Sequence, residues 1–291
     1  MSNSQPRILV TGASGQLGRL VIDKLLETTP ATQIAAIVRN GKAAANLSAR
    51  EVVVRVAEYS KPETLDAALA GIDRLLLISS SEIGQRVTQH RNVIAAAKRA
   101  GVKLVAYTSV LRADASPLGL AEEHRQTEAA LRASGIPSVL LRNGWYTENY
   151  AASISAALAH GALLGSAGEG RIASASRADY AAAAATVLTA SENQAGRVYE
   201  LAGDTVYTLS QFAAEVARQS GKAVVYKNLP EADFKAALTG AGLPEGLAAL
   251  LADSDTGASK GALFDDSHQL SKLIGRPTTP WATTVSAALR G

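Results

Sequence analysis

The chain is 291 residues long, 47% apolar and 19% charged, with a formal net charge of +3. That composition supports the packed core of one large α/β domain, with or without a smaller appendage, and argues against disorder. The absence of cysteine excludes disulfides, zinc–thiolate sites and thiol catalysis. No basic block or stacking platform marks a nucleic-acid binder, and no apolar run approaches the roughly 18–20 residues that span a bilayer.

Met1 to Pro6 shows no charged and apolar leader pattern, so a soluble, cytoplasmic protein is expected. The histidines (His90, His124, His160, His268) are dispersed without metal-ligand spacing, so no metal site is expected.

In chain order, Ile8-Leu9-Val10 reads as a buried strand. It runs into Thr11-Gly12-Ala13-Ser14-Gly15-Gln16-Leu17-Gly18, with glycines spaced G-x-x-G-x-x-G, and Leu17, Val21 and Leu25 then mark one face of a helix. A strand, a tight turn and a helix N-terminus present free backbone N–H groups and the positive end of a helix dipole to an anion. Gly12 can take the turn conformation, Gly15 lets backbone approach a pyrophosphate, and Gly18 lets the helix pack against the strand. The context predicts a dinucleotide site lined by Gly12, Ala13, Ser14, Gly15, Gln16 and Leu17.

Residues 33–38 form the expected second strand, which ends on Arg39 where a ribose-binding acid would sit in an NAD site. A guanidinium there can hold a 2′-phosphate, with Asn40, Gly41 and Lys42 extending the polar pocket, so NADPH is expected over NADH. Strands follow at 52–57 and 74–78, separated by a helix that opens at Pro62. The second of these delivers Ser79, Ser80 and Ser81, which can bond a cofactor ribose and also cap the next helix. That helix, residues 84–100, should turn Val87, Ile94 and Ala97 inward and stop at Gly101. A strand at 102–107 ends in Thr108-Ser109, a helix covers 121–134, and a strand at 136–141 ends in Arg142-Asn143-Gly144-Trp145-Tyr146. This alternation implies an α/β fold with a doubly wound parallel sheet, its ligand beyond the carboxyl ends of the strands.

From Asn149 the alternation fades into a helix at 151–158, a Gly-rich loop at 161–170, an Ala-rich helix from Arg177, a strand at 198–201, and helices at 209–220, 231–238 and 243–252 with a short strand at 224–226. The expected division is a nucleotide-binding domain over 1–150 and a smaller, partly interleaved C-terminal α+β substrate lobe over 151–291, some segments returning to the core sheet.

Thr11 to Gly18, Val38-Arg39-Asn40, Leu76 to Ser81, Tyr107-Thr108-Ser109 and Leu141 to Tyr146 together resemble the NmrA-like atypical short-chain dehydrogenases. The likeness continues through residues 173–180, 199–204 and 258–267. It implies a Rossmann-type domain, NADPH as cofactor, and reduction of a quinone or similar planar electrophile by hydride transfer. Nicotinamide would then border Asn143, Gly144, Trp145 and Tyr146. Trp145 or Tyr146 could wall a flat substrate or simply pack a domain junction.

The Tyr-x-x-x-Lys pair that serves better-known short-chain dehydrogenases is missing from the matching region. His124 and Glu128 lie four apart on one helix face, where they form either a proton donor or a surface pair. Candidate catalytic residues are therefore Asn143, Tyr146 and His124, with positioning and desolvation expected to dominate. Two other readings remain: a non-catalytic NADP-sensing regulator, and a nucleotide-sugar epimerase or dehydratase. Monomer and homodimer are both open.

Overall fold

The computed structural model describes residues 7–39 and 44–290, so Met1–Pro6 and the Asn40, Gly41 and Lys42 part of the expected pocket lie outside the described residues. In chain order the elements are β1 Ile8–Val10, α1 Gln16–Leu26, β2 Ile34–Val38, α2 Ala44–Ser48, β3 Val53–Val56, α3 Pro62–Leu69, β4 Arg74–Leu77 and α4 Arg86–Arg99. Next come β5 Leu104–Val110, α5 Ala121–Ser134, β6 Ser138–Asn143, α6 Thr147–Ala151, α7 Ile154–His160, β7 Ala162–Gly165, α8 Arg177–Thr189 and β8 Val198–Leu201. The chain finishes with α9 Leu209–Ser220, β9 Val225–Asn228, α10 Glu231–Gly240, α11 Glu245–Ser259, α12 Gln269–Ile274 and α13 Trp281–Arg290.

The chain forms two compact units, each assembled from three stretches: 1–110, 123–142 and 180–199 in the first, and 111–122, 143–179 and 200–291 in the second. The first carries a parallel seven-stranded sheet in the order β3-β2-β1-β4-β5-β6-β8. In register, Leu9 faces Ala35 on one side and Leu75 on the other. Strand order reverses between β1 and β4, the place where open parallel sheets hold ligands beyond their carboxyl ends. Runs such as Leu75-Leu76-Leu77 are buried on both faces because helices cover both sides. One core joins Leu9, Ile37, Leu65, Leu75, Val93, Val105 and Leu131.

Several boundaries differ from expectation. The strand expected at 102–107 is β5, which runs on to Val110 and takes Thr108 and Ser109 into the sheet. On α4, Val87 is only half-buried, whereas Arg86, Gln89 and His90 are buried. The start of that helix's inward face is polar because it meets other polar groups, whereas Val93, Ile94, Ala96 and Ala97 pack into the core.

In the second unit, β7 pairs in parallel with β9, Ala162 facing Val225, inside the stretch expected to be a Gly-rich loop. The helix expected at 151–158 is two short helices, and the one expected to end at 252 continues to Ser259. Thr208 and Gln211 close a reciprocal capping box on α9. The rings of Tyr207, Phe212 and Trp281 form this unit's aromatic centre, with Tyr207 and Trp281 centroids 4.7 Å apart. No described helix is long and apolar enough to cross a membrane, and no metal-binding group of side chains exists among the described residues.

Candidate functional site

In the first unit, Gly12 holds φ at +59°, a conformation that a side chain would strain. A Cβ on Gly18 would collide with the Gly12 carbonyl and come within 2.8 Å of Ala13 Cα, so α1 can sit against the turn only with glycine there. Gly15 is the N-cap of α1 and has no side chain to cap it, and the first turn contains no acid. The leading N–H groups of α1 are therefore offered outward to an anion. Thr11 fixes the neighbouring strand ends: its hydroxyl donates to Leu76 O and accepts from Ile78 N, both at 3.0 Å.

A cleft of about 320 Å³ opens on this turn, and Gly12, Ser14, Gly15, Arg39, Ser79, Ser80 and Ser81 all line it. Of the other residues expected to bind cofactor through this turn, Ala13 and Leu17 are buried behind it and can offer only their backbones, whereas Gln16 is exposed. The Arg39 side chain is 71% exposed and pairs with Glu82 at 3.3 Å. Glu82 also accepts from the Gln89 amide at 2.6 Å. Sequence reasoning missed Glu82, Gln89 and Tyr59 as cleft residues. Tyr59 ties down the end of β4 by donating to Ile78 O at 3.0 Å.

The serine loop after β4 rests on a buried polar layer. Ser79 N donates to Thr108 Oγ1 at 2.8 Å, and Ser80 N donates to His90 Nε2 at 3.0 Å. His90 Nδ1 meets Thr127 Oγ1 at 3.0 Å, and Thr127 in turn donates to Glu123 O. Because Nε2 accepts, Nδ1 carries the hydrogen. Arg86 donates to Ser80 O at 2.7 Å and pairs with Glu123 at 2.8 Å. Burial, helped by the Arg86 charge, pushes His90 down to about 3, so it is neutral at physiological pH.

His124 belongs to the same layer, not to the surface. It is 4% exposed, shares a 2.7 Å hydrogen bond with the Tyr107 hydroxyl, and is held well below the usual imidazole range by burial and by Arg86 and His90. The contact with Glu128 suggested by their spacing is replaced. Glu128 accepts from Ser109 at 2.6 Å and from Arg142 Nε and Nη2 at 3.0 and 2.8 Å, and no hydrogen bond joins it to His124 among the described residues. Both side chains face the sheet, and each is taken by a sheet residue.

Asn143 ends β6 and is followed by Gly144, Trp145 and Tyr146, all four falling in the second unit. Gly144 N donates to Leu201 O at 2.7 Å, so that amide is already used. Asn143 is buried, and its Oδ1 has no partner. A buried oxygen of this kind is costly unless something donates to it. Tyr146 is half-buried beneath the Arg177 guanidinium, 4.4 Å from its ring centroid. Burial pushes its phenol up, opposed by a hydrogen bond from the Asn143 side chain and by the Arg177 charge. Trp145 is buried with its ring centroid 6.4 Å from that of Tyr150.

These features suit a pyridine dinucleotide. In the first unit, the open α1 terminus suits a pyrophosphate and Arg39 a 2′-phosphate.

Several known proteins are similar to this chain in sequence and fold. The profile of the NmrA-like family matches residues 4–276. Quinone oxidoreductase 2 of Escherichia coli is 62% identical over 279 residues, which cover 96% of this chain and 97% of the relative. The crystal structure of the NADPH-dependent quinone oxidoreductase from that organism, complexed with NADPH, superposes with a TM-score of 0.94 over 96% of this chain and 99% of that one. Triphenylmethane reductase from Citrobacter sp., solved with NADP(H), is 40% identical with a TM-score of 0.92, covering 97% and 99% of the two chains.

Proposed function

The chain belongs to the NmrA-like family, and from that premise we propose that it is an NADPH-dependent oxidoreductase that passes hydride to a quinone or a similarly planar electrophile. One observation carries the reading: an uncapped helix N-terminus and a strand that ends on a base instead of an acid face one cleft. The relative 62% identical over nearly the whole chain is itself a quinone oxidoreductase, and its structure holds NADPH. The regulator NmrA, at 15% identity, shares the fold alone.

In this reading the α1 amides and Gly12, Ser14 and Gly15 hold the pyrophosphate, and Arg39 holds the 2′-phosphate. Ser79, Ser80 and Ser81 bond a ribose on a loop whose amides are fixed by Thr108 and His90. Asn143 accepts from the carboxamide and, with Tyr146 and Trp145, borders the reacting ring. NADPH supplies the hydride when bound. The protein orients the ring and excludes water. His124, neutral and bonded to Tyr107, positions α5 against β5 and donates no proton. A quinone needs little acid catalysis, and its reduced anion can take a proton from solvent. Placement in the cytoplasm and action on a small molecule, without a nucleic-acid partner, are part of the same proposal.

Steady-state assay of NADPH oxidation with benzoquinone tests this. Turnover is expected. Cofactor binding with no turnover would instead make the protein a sensor.

A further inference from the structure

The end of β2 carries a base where a ribose-binding acid would sit, yet an acid stands beside it. Glu82 belongs to the loop between β4 and α4, and its Oε1 lies 3.3 Å from the Arg39 guanidinium. Both residues line the cleft beside Gly12, wholly within the first unit. In parallel nucleotide-binding sheets this place meets the 2′ position of the adenosine ribose, where an acid accepts from a hydroxyl and an arginine takes a phosphate. Here one place offers both chemistries, the base from just past β2 and the acid from the loop after β4.

Glu82 is not a loose surface side chain. Its Oε2 accepts from Gln89 Nε2 at 2.6 Å, and Gln89 is 5% exposed. A carboxylate only accepts, so the amide must turn its nitrogen toward Glu82. The Gln89 Oε1 is thereby left buried with no partner. An unpaired buried oxygen costs stability, and what this one secures is a carboxylate held beside Arg39. The backbone is fixed as well: Glu82 N donates to Ser80 Oγ at 3.2 Å, and Glu82 O accepts from Gln85 N and Arg86 N, both at 3.1 Å.

We propose that Glu82 determines coenzyme choice, accepting the 2′-hydroxyl of NADH and competing with the 2′-phosphate of NADPH for Arg39, so that this chain binds both coenzymes. The proposal rests on the oxidoreductase reading and adds to it the residue that sets coenzyme preference. A ribose hydroxyl donates, and a carboxylate is a strong acceptor for it. NADH therefore binds with the Arg39–Glu82 pair intact. A phosphate monoester carries close to two negative charges. It is repelled by Glu82 and must draw Arg39 away from it. The pair is exposed, so little energy opposes that exchange.

Calorimetric titration of NADPH and NADH into the wild type and Glu82→Ala tests this. NADPH should bind the variant a few-fold more tightly, the scale of one exposed ion pair released. NADH should bind it about tenfold more weakly, the low end for a hydrogen bond to a charged acceptor. The melting temperature reports whether the variant folds. If it does not, Glu82→Gln, which keeps an acceptor for Gln89, takes its place, with the same directions expected and a smaller loss of NADH. A merely structural role would weaken both coenzymes. A general charge effect would tighten both, because each carries an anionic pyrophosphate. Either result overturns the proposal, as does an unchanged NADH affinity or a wild type that binds NADPH and not NADH. A wild type that binds neither coenzyme, and oxidises no NADPH with benzoquinone, removes the oxidoreductase reading and the proposal with it.

Discussion

His90 accepts the backbone N–H of Ser80 at 3.0 Å and so ties α4 to the loop that lines the cleft beside Gly12. The bond needs a neutral ring with its hydrogen on Nδ1, and burial supplies the neutral form. Protonating Nε2 would replace an attraction to the Ser80 amide with a repulsion.

That neutrality gives a pH dependence with a defined sign. His90 sits at about 3 in the native state and His124 well below its usual value, whereas an unfolded histidine titrates near 6.5. The unfolded chain therefore binds more protons as pH falls below that value, and stability drops by about 1.4 kcal/mol per pH unit for each buried imidazole. Both contributions are fully present above pH 6.5. Urea unfolding of His90→Gln at pH 5 and at pH 7.5 should show a shallower loss than the wild type, since an amide oxygen can still accept from Ser80. An identical slope in the two proteins would contradict this account.

Arg39 and Glu82 make opposite predictions from one contact. The pair is exposed and 3.3 Å long, so its own worth is small, about 0–1 kcal/mol. Arg39→Ala should weaken NADPH by about 10–100-fold, the scale of a lost charge-assisted bond to phosphate, and NADH far less. Glu82→Gln should tighten NADPH by a few-fold by freeing the guanidinium. Calorimetric titration of both cofactors decides, and equal losses of NADPH and NADH in Arg39→Ala would remove the 2′-phosphate role.

The Glu128–Arg142 pair is buried on both sides, with side chains 4% and 9% exposed. Removing one partner strands the other charge. Arg142→Met should destabilise the fold by about 3–5 kcal/mol, and adding Glu128→Leu should restore part of the loss. Chemical denaturation of the single and double variants measures it; a single variant as stable as the wild type would show the pair to be idle.

How much of this was legible in the sequence depended on periodicity and glycine. The strand–turn–helix at Gly12 to Gly18 could be read because steric demands name their own residues there. Arg39 could be read because a strand end has a fixed place in such sheets. The polar layer could not. Arg86, Gln89 and His90 are polar side chains that apolar patterning assigns to solvent, and their partners come from another helix and an adjoining loop. Asp255 was hidden for a related reason. Asp253-Ser254-Asp255-Thr256 looks like a helix terminator, yet α11 continues through it, with Ser254 folding back onto Leu250 O at 2.7 Å and Asp255 bonded to Tyr150 on α6. β7 is four residues long and gains its partner from β9 far along the chain.

The most direct measurement is calorimetric titration of NADPH into the wild-type protein and into Gly15→Asp, whose new carboxylate would cap α1 with an anion of its own. Saturable binding to the wild type and its loss in the folded variant are predicted. No heat of binding in the wild type, or equal affinity in the two proteins, would contradict the claim that the bare amides of this helix receive the cofactor's phosphates.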